Sequence, residues 1–517
     1  MSALLTEKDV FPWAERVLQG RITASTRQGG RESGGRPGWF VDVARGSTSA
    51  KYYIRGDRGG DFGYIQEYGL QREVRLLKLL RDEGIPVPEV IASSAEPNAA
   101  ILGFVEGVND FTRIANAAER DTVARDFARV MARWHAIPAG KFAEIGLAVP
   151  VNAEQLVGND LSVWERGHFP LLGEPVPLVT FACQWLRRNL PPMPEQLVLV
   201  QGDTGPGQFL FRDGRVQAVV DWELGALGDP MRELAHIRTR DVWYPTGNLP
   251  DWFRYYSEFS GTPLDDDRIR YYSVIGMLTT ALALGPVVQK LNPRDEHAEW
   301  LAQDVWSKCA TAEAIAEAMG VALEDVALPA AGRPYVSALF DTLQENLEQE
   351  QLPHIDDPFR RHRLQVDLRL LARLRNQAEI GPEIEEIELA DMQALLGGRP
   401  RSVAEGQRSI DALVRAAGPG RDEEFVRYFH RHARREEALM RGGMGRAANA
   451  RAAAIRERER RCPSTGTTGQ RLRAPLPLLP LTRISLAESG IGPGRRRDDF
   501  PRPRRRRVAA TQIYGRK

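Results

Sequence analysis

The sequence predicts an α+β protein with more than one domain. Segments with the pattern of β-strands, separated by turns that contain glycine, lie in the first hundred residues and around residue 210. Apolar residues at helical spacing recur from residue 121 to about residue 429. The 517 residues exceed what one hydrophobic core usually supports, so two to three domains are expected.

The net charge of +1 hides a split between two parts of the chain. From residue 451 onward the chain has 18 Lys and Arg against 5 Asp and Glu, a charge of +13, and the remainder carries −12. Cys183, Cys309 and Cys462 show neither metal-ligand spacing nor an even disulfide framework, which is typical of a reducing compartment. The N-terminus has charges where a signal peptide needs an apolar core, so we expect a cytoplasmic protein.

Glycines and short strands dominate the first part of the chain. Residues 27–38 include five glycines, and residues 39–43 and 51–55 form a predicted strand pair with a turn at 45–47. The glycine-rich segment either covers a phosphate group or is a plain loop. In the second strand Arg55 shares one face with Lys51 and Tyr53, because side chains alternate along a strand.

A helix is predicted to follow over residues 70–80. Its stripe of leucine and valine is bordered by Glu73, whose carboxylate could reach Arg55 or lie exposed in solvent. The prolines at 86 and 88 end this helix, and residues 99–105 predict the last strand of the first lobe.

Three oxygen-bearing side chains are expected to converge near residue 210. An apolar strand over residues 197–200 delivers Asp203 into a turn, and a hairpin with its turn at residues 213–214 follows. The hairpin places Gln208 and Asp221 at the same open end. Mg²⁺ prefers hard oxygen ligands and usually takes one or two carboxylates together with phosphate and water.

This stretch resembles the aminoglycoside phosphotransferase and choline kinase family of protein-kinase-like enzymes, whose motif reads H-G-D-x-x-x-x-N, then D-W-E, then G-D-P. The resemblance covers residues 20–325 and is close to the kinase-like domains associated with acyl-CoA dehydrogenases. It implies a two-lobed fold. The small β-rich, nucleotide-binding lobe would comprise residues 1–105, and the larger, mostly helical lobe residues 106–326.

The resemblance also implies roles for five residues. Asp203 would be the catalytic aspartate, Gln208 and Asp221 would hold Mg²⁺, and Arg55, paired with Glu73, would bind the phosphates of ATP. The sequence departs from the family motif at two positions. Gln201 replaces the usual histidine, and Gln208 replaces an asparagine, which keeps the carbonyl oxygen but adds a methylene group.

The implied function is an ATP-dependent transfer of the γ-phosphate to a hydroxyl group of a small molecule. A hydroxyacyl thioester is one acceptor, and aminoglycosides, choline and sugars remain open. The alternative is a catalytically impaired scaffold that binds nucleotide or a metabolite. The aromatic residues between 243 and 259 belong either to the acceptor site or to the core.

No catalytic group is predicted in the rest of the chain. Residues 327–334 resemble a linker, and an all-α accessory domain is predicted over residues 334–440, where His430 and His432 lack a third metal ligand.

Residues 443–517 are predicted to form a disordered, arginine-rich tail, which is either functional or the product of a shifted reading frame. Nucleic acid is not an expected partner, because no aromatic residues alternate with the arginines. The most apolar run, residues 274–284, is too short for a bilayer of about 30 Å and predicts a buried helix, so no membrane span is expected. The oligomeric state stays open.

Overall fold

A computed structural model describes residues 5–28, 36–57, 68–290, 296–330, 334–448 and 450–456. All of these residues belong to one compact unit, residues 1–459. Most of the predicted glycine-rich loop, residues 29–35, and residues 457–517 of the predicted tail lie outside the described residues.

The first lobe is a five-stranded antiparallel sheet with strand order β1-β2-β3-β5-β4. Its strands are β1 Arg21–Gln28, β2 Gly38–Arg45, β3 Thr48–Gly56, β4 Val90–Ala95 and β5 Asn98–Gly103, and its helices are α1 Glu7–Leu18 and α2 Leu70–Asp82. Trp39, Val41 and Val43 alternate along β2 and pack with buried side chains of α1, as the period of two requires. The predicted strand pair, the helix and the last strand are therefore present.

The second lobe is mostly helical and contains four short strands. Its helices are α3 Ala117–His135, α4 Ala139–Glu144, α5 Ala153–His168, α6 Pro177–Arg188, α7 Pro230–Asp241, α8 Leu249–Ser260, α9 Asp266–Val288 and α10 His297–Met319, and its strands are β6 Val198–Val200, β7 Phe209–Arg212, β8 Arg215–Val219 and β9 Ala226–Gly228. The rings of Phe127 and Phe209 stack 4.4 Å apart, and Trp134 meets Trp222 at 5.4 Å. These aromatic side chains form the core on which the β7–β8 hairpin packs. The two-lobed α+β fold agrees with the sequence prediction.

The apolar helix α9 is part of this core. It has the length and composition of a membrane span, and 67% of its most apolar window is buried inside the protein. Tyr271 and Tyr272 near its start are buried as well. The run at residues 274–284 is therefore a core helix, as predicted.

Five further helices follow the second lobe in the chain. They are α11 Pro334–Glu345, α12 Pro358–Glu379, α13 Gly381–Leu396, α14 Val403–Ala416 and α15 Asp422–Leu439. Thr180 on α6 donates a hydrogen bond to Asp411 on α14 (2.6 Å), and the ring of Phe181 contacts the ring of Phe425 at 5.7 Å. The predicted boundaries of this accessory region stay a prediction.

Residues 443–448 and 450–456 belong to the predicted start of the tail, but in the structure they contact the folded helices. Ile455 is buried, Arg451 pairs with Glu437 (2.9 Å), and Arg456 pairs with Asp266 (2.9 Å). The segment has no helical or strand periodicity, so its position depends on these individual contacts rather than on a pattern visible in the sequence.

A buried group of charged residues joins α13 to α15. Glu388 accepts hydrogen bonds from Tyr428 (2.8 Å) and from Arg435 (2.6 Å), and it also pairs with His432 (2.9 Å). Arg435 also donates to Asp391 (2.7 Å). Nδ1 of His432 is thus engaged in this ion pair.

We expect the acid sensitivity of the protein to depend on Glu388. Burial alone would raise the pKa of this carboxyl, but His432 and Arg435 outweigh burial and lower its pKa to about 2. A lowered pKa stabilises the folded state above the unfolded value of about 4.5, and that stability is lost as the pH falls from about 4.5 towards 2.

Glu388→Gln should therefore flatten the decline in the free energy of unfolding between about pH 5 and pH 3, measured by urea titration. Glu386→Gln is the matched control on the same helix, because Glu386 is exposed and pairs with Arg399 at the surface. An unchanged decline in Glu388→Gln would contradict this assignment.

Candidate active site

The turn after β6 carries Asp203 and is held by Gln201. The side chain of Gln201 is fully buried. Its Oε1 accepts from the backbone N–H of Asp203 (2.8 Å) and from the hydroxyl of Thr204 (3.2 Å), while its Nε2 donates to the carbonyls of Val220 (3.0 Å) and Asp221 (2.8 Å). A neutral histidine has one donor and one acceptor nitrogen, whereas the amide uses two bonds on each side. Gln201 therefore joins the turn to the end of β8.

Gly202 allows the same turn to approach the segment after Asp221. Its φ is +93°, and a Cβ atom there would lie 2.7 Å from the Cβ of Leu224. A larger residue would push the turn away from this segment.

The buried carboxylate of Glu233 holds the turn from the other side. It accepts from the backbone N–H of Gln201 at 3.0 Å. Burial raises the pKa of Glu233 to about 7, against the opposing effect of these hydrogen bonds. The side-chain amide of Gln201 and the carboxyl group of Glu233 thus fix the turn from two sides.

The three residues that the sequence predicted to converge do lie together. Gln208 Nε2 donates to Asp203 Oδ2 (2.5 Å) and is 3.4 Å from Asp221 Oδ2. The amide thus lies between two carboxylates that would otherwise repel each other. About a third of each carboxylate side chain is open to solvent, 39% for Asp203 and 34% for Asp221.

Asp221 has a left-handed backbone, with φ 63° and ψ 52°. Asp and Asn adopt this conformation more readily than other non-glycine residues. The next residue, Trp222, is buried and donates from its indole N–H to the carbonyl of Val219 (3.1 Å). The anchored tryptophan and the left-handed turn together direct the Asp221 carboxylate out of the hairpin.

Arg55 on β3 contacts three carboxylates, one in its own lobe and two in the second lobe. Its Nε lies 3.2 Å from Glu73, and its NH2 group lies 2.8 Å from Asp221 and 2.9 Å from Glu223. The predicted pair of Arg55 and Glu73 is therefore present. Burial alone would lower the pKa of Arg55, but the carboxylates outweigh burial and raise it. Burial also raises the pKa of Glu73, and Arg55 opposes that rise.

Two arginines that sequence reasoning missed support the same contact. Arg36 donates through Nε to Glu223 (2.6 Å), on the oxygen that Arg55 also contacts, and through NH1 to Asp57 (2.6 Å). Arg72 donates to the backbone carbonyl of Glu223 (3.2 Å) and to that of Gly225. Three guanidinium groups of the first lobe thus hold residues 221–225. Glu223 was visible in the D-W-E motif, whereas nothing marked Arg36 within its glycine-rich surroundings.

A fourth arginine lies beside Asp203. Arg240 on α7 donates from NH1 to Asp203 Oδ2 (2.6 Å) and from Nε to the carbonyl of Pro206 (2.8 Å). Its guanidinium lies over the ring of Tyr244, 5.1 Å from the centroid. No pattern in the sequence predicts this contact, because Arg240 and Asp203 are 37 positions apart and belong to no shared motif.

The donor set suits Mg²⁺ with a nucleotide rather than a metal held by protein alone. Among the described residues no group of three or more His, Cys, Asp and Glu is arranged to hold a metal ion. Mg²⁺ at phosphoryl-transfer sites takes one or two carboxylates and completes its shell with phosphate oxygens and water. The carboxylate of Asp221 is a donor of that kind. The amide of Gln208 would provide a second donor once its oxygen turns to the metal, because Nε2 is the atom that faces the carboxylates here.

We expect Gln208→Leu to raise the Mg²⁺ concentration needed for half-maximal nucleotide turnover by about tenfold, a change of about 1.4 kcal/mol. Leucine is similar in size but has no oxygen for the metal. Gln208→Asn is the control, because it keeps an amide oxygen and should remain within about threefold of the native protein. Equal Mg²⁺ requirements in the native protein and the leucine variant would exclude Gln208 as a ligand.

Comparison with known proteins finds phosphotransferases and members of the acyl-CoA dehydrogenase family. Residues 44–272 match the sequence profile described as Phosphotransferase enzyme family. Acyl-CoA dehydrogenase family member 11 of Rattus norvegicus is 27% identical over 215 residues, which cover 39% of this chain and 27% of that protein. The 3-deoxy-D-manno-octulosonic acid kinase of Stenotrophomonas maltophilia is 31% identical over 121 residues, which cover 21% of this chain and 47% of that protein.

The chain thus spans less than half the length of each of these two relatives. Among solved structures, a putative aminoglycoside phosphotransferase from Ralstonia eutropha is 19% identical, with a TM-score of 0.41, and the match covers 55% of this chain and 89% of that chain.

Proposed function

We propose that the protein transfers the γ-phosphate of ATP to a hydroxyl group of a small molecule, because residues 44–272 match the phosphotransferase enzyme family, as the motif around Asp203 predicted. The observation that carries this proposal is the convergence of Asp203, Gln208 and Asp221 beside the pair of Arg55 and Glu73. These are the parts that phosphoryl transfer requires.

In this reaction the acceptor oxygen forms a bond to the γ-phosphorus, the bond from that phosphorus to the bridging oxygen breaks, and ADP leaves. Asp203 accepts or orients the proton of the acceptor hydroxyl. Arg55 binds the nucleotide phosphates and is held in place by Glu73. Asp221 and Gln208 would hold Mg²⁺, which would supply positive charge beside the phosphates.

The acceptor that we favour is a hydroxyacyl thioester. The rat relative carries the name of an acyl-CoA dehydrogenase, which supports an acyl substrate. Trp243 and Tyr244 follow α7 and are only partly buried. Trp243 packs against Trp306, and Arg240 lies over one face of Tyr244, which leaves the remaining exposed faces of the two rings for an apolar acceptor. An acceptor panel that includes hydroxyacyl thioesters, aminoglycosides, choline and sugars tests this choice directly.

The second candidate is a scaffold that binds nucleotide without catalysis. It is favoured by two ion pairs, because Asp221 is already bound to Arg55 and Asp203 to Arg240. Nucleotide binding that is indifferent to Mg²⁺, with no phosphate transfer to any acceptor, would support the scaffold.

Asp203→Asn separates the two candidates. Asparagine keeps the size and the hydrogen bonds of the side chain but does not accept a proton, so we expect turnover to fall by about 100-fold to 10,000-fold while nucleotide affinity stays within about threefold. Asp251→Asn, on the surface of α8, is the control. Undiminished turnover in Asp203→Asn would rule out the catalytic role.

A further inference from the structure

Arg240 lies where a cation would assist the proposed transfer, and the catalytic loop itself has none. Residues 203–208 read D-T-G-P-G-Q and contain neither lysine nor arginine. The side chain of Arg240 is only 15% exposed and reaches this loop from α7. Gly207 makes the approach possible, because a Cβ atom at that position would lie 2.6 Å from the NH2 group of Arg240.

Two of the three guanidinium nitrogens of Arg240 are fixed by the loop. Nε donates to the carbonyl of Pro206, and NH1 donates to Asp203. Within the ranges that the structure describes, NH2 makes no hydrogen bond. The ring of Tyr244 supports one face of the group. Arg240 is thus positioned in advance, beside the proposed base, with one donor nitrogen still available.

We propose that Arg240 is a catalytic residue that contacts the transferring phosphoryl group. This inference rests on the proposed function. Charge spreads over the equatorial oxygens of the phosphoryl group during transfer, and a guanidinium supplied from within the same chain stabilises that charge. A fixed donor is effective because it needs little rearrangement when the charge develops. The same guanidinium pairs with Asp203.

The alternative is that Arg240 acts only by orienting Asp203. The two roles differ in a background where Asp203 is neutral. We therefore compare Asp203→Asn with the double variant Asp203→Asn/Arg240→Gln. The probe is Mg·ADP with aluminium fluoride, which mimics the transferring phosphoryl group, and the measured quantity is the dissociation constant with and without fluoride. No acceptor is present, so a role in acceptor binding does not affect the result.

We expect aluminium fluoride to tighten Mg·ADP binding in the native protein and in Asp203→Asn. In the double variant the tightening of Mg·ADP binding by aluminium fluoride should be at least about tenfold smaller than in Asp203→Asn. The dissociation constant of Mg·ADP alone should stay within about threefold. Arg240→Lys, which keeps the charge but not the fork of donors, should retain part of the gain. The matched control is Arg254→Gln, because Arg254 pairs with Asp251 and Glu258 on an exposed surface.

The results distinguish failure of this inference from failure of the proposed function. A native protein that gains nothing from aluminium fluoride would overturn both. A gain that is present in Asp203→Asn and unchanged in the double variant would overturn only the role of Arg240. If the glutamine variants unfold, as judged by their thermal midpoint, the comparison is made with Arg240→Lys, where an undiminished gain again counts against the proposal.

Discussion

Asp221→Asn abolishes Mg²⁺-dependent nucleotide turnover, with an expected loss of about 1,000-fold, and leaves the fold intact. Asparagine removes the negative charge that we assign to the metal. It also suits the left-handed backbone at this position as well as aspartate does. Arg55 keeps its contacts with Glu73 and Glu223, so the lobes stay connected. Turnover across a Mg²⁺ titration, together with the thermal midpoint, measures both effects.

The hairpin offers a matched control for this substitution. Asp213 also has a left-handed backbone, with φ 52°, but its side chain is 92% exposed at the β7–β8 turn. Asp213→Asn should change neither turnover nor stability. A strong loss of stability in Asp221→Asn, with turnover retained, would show that the residue serves the fold and not the metal.

Arg435→Met is expected to destabilise the protein by about 3–5 kcal/mol. Arg435 is almost completely buried and binds Glu388 and Asp391 with hydrogen bonds of 2.6 Å and 2.7 Å. Methionine fills much of the volume but leaves two carboxylates without this partner. Urea titration of the free energy of unfolding measures the change.

The control for that variant is an exposed ion pair. Arg408 pairs with Glu174 at 2.9 Å, and both side chains are more than half exposed. Arg408→Met should cost less than about 1 kcal/mol, because solvent screens the charges. Equal losses in the two variants would mean that burial does not distinguish the two pairs.

Contacts could be predicted from the sequence where the local strand or helix pattern determines the direction of a side chain. A strand that ends in a turn and a hairpin with a short connection put Asp203, Gln208 and Asp221 at one end of the same structure. The helical stripe of α2 likewise placed Glu73 within reach of Arg55. In both cases local periodicity determines the direction of the side chain.

The contacts that sequence reasoning missed depend on packing between distant segments. Arg36 and Glu223 are 187 positions apart, and Arg240 meets Asp203 only because Gly207 leaves room for its guanidinium. Residues 443–448 and 450–456 contact the helices without any periodic pattern. Long polar side chains have many rotamers, and the folded surroundings select among them, so neither helical spacing nor strand alternation predicts such partners.

One carboxylate oxygen of Glu223 accepts hydrogen bonds from both Arg36 and Arg55. This shared contact constrains how the three positions can change during evolution. If Glu223 changed alone, two buried guanidinium groups would each lose a partner. If Arg36 changed alone, Glu223 would keep only part of its neutralising charge. Intermediates with one substitution are therefore disfavoured, and these three positions should covary among homologous proteins, so that a lineage keeps the whole set or replaces it together.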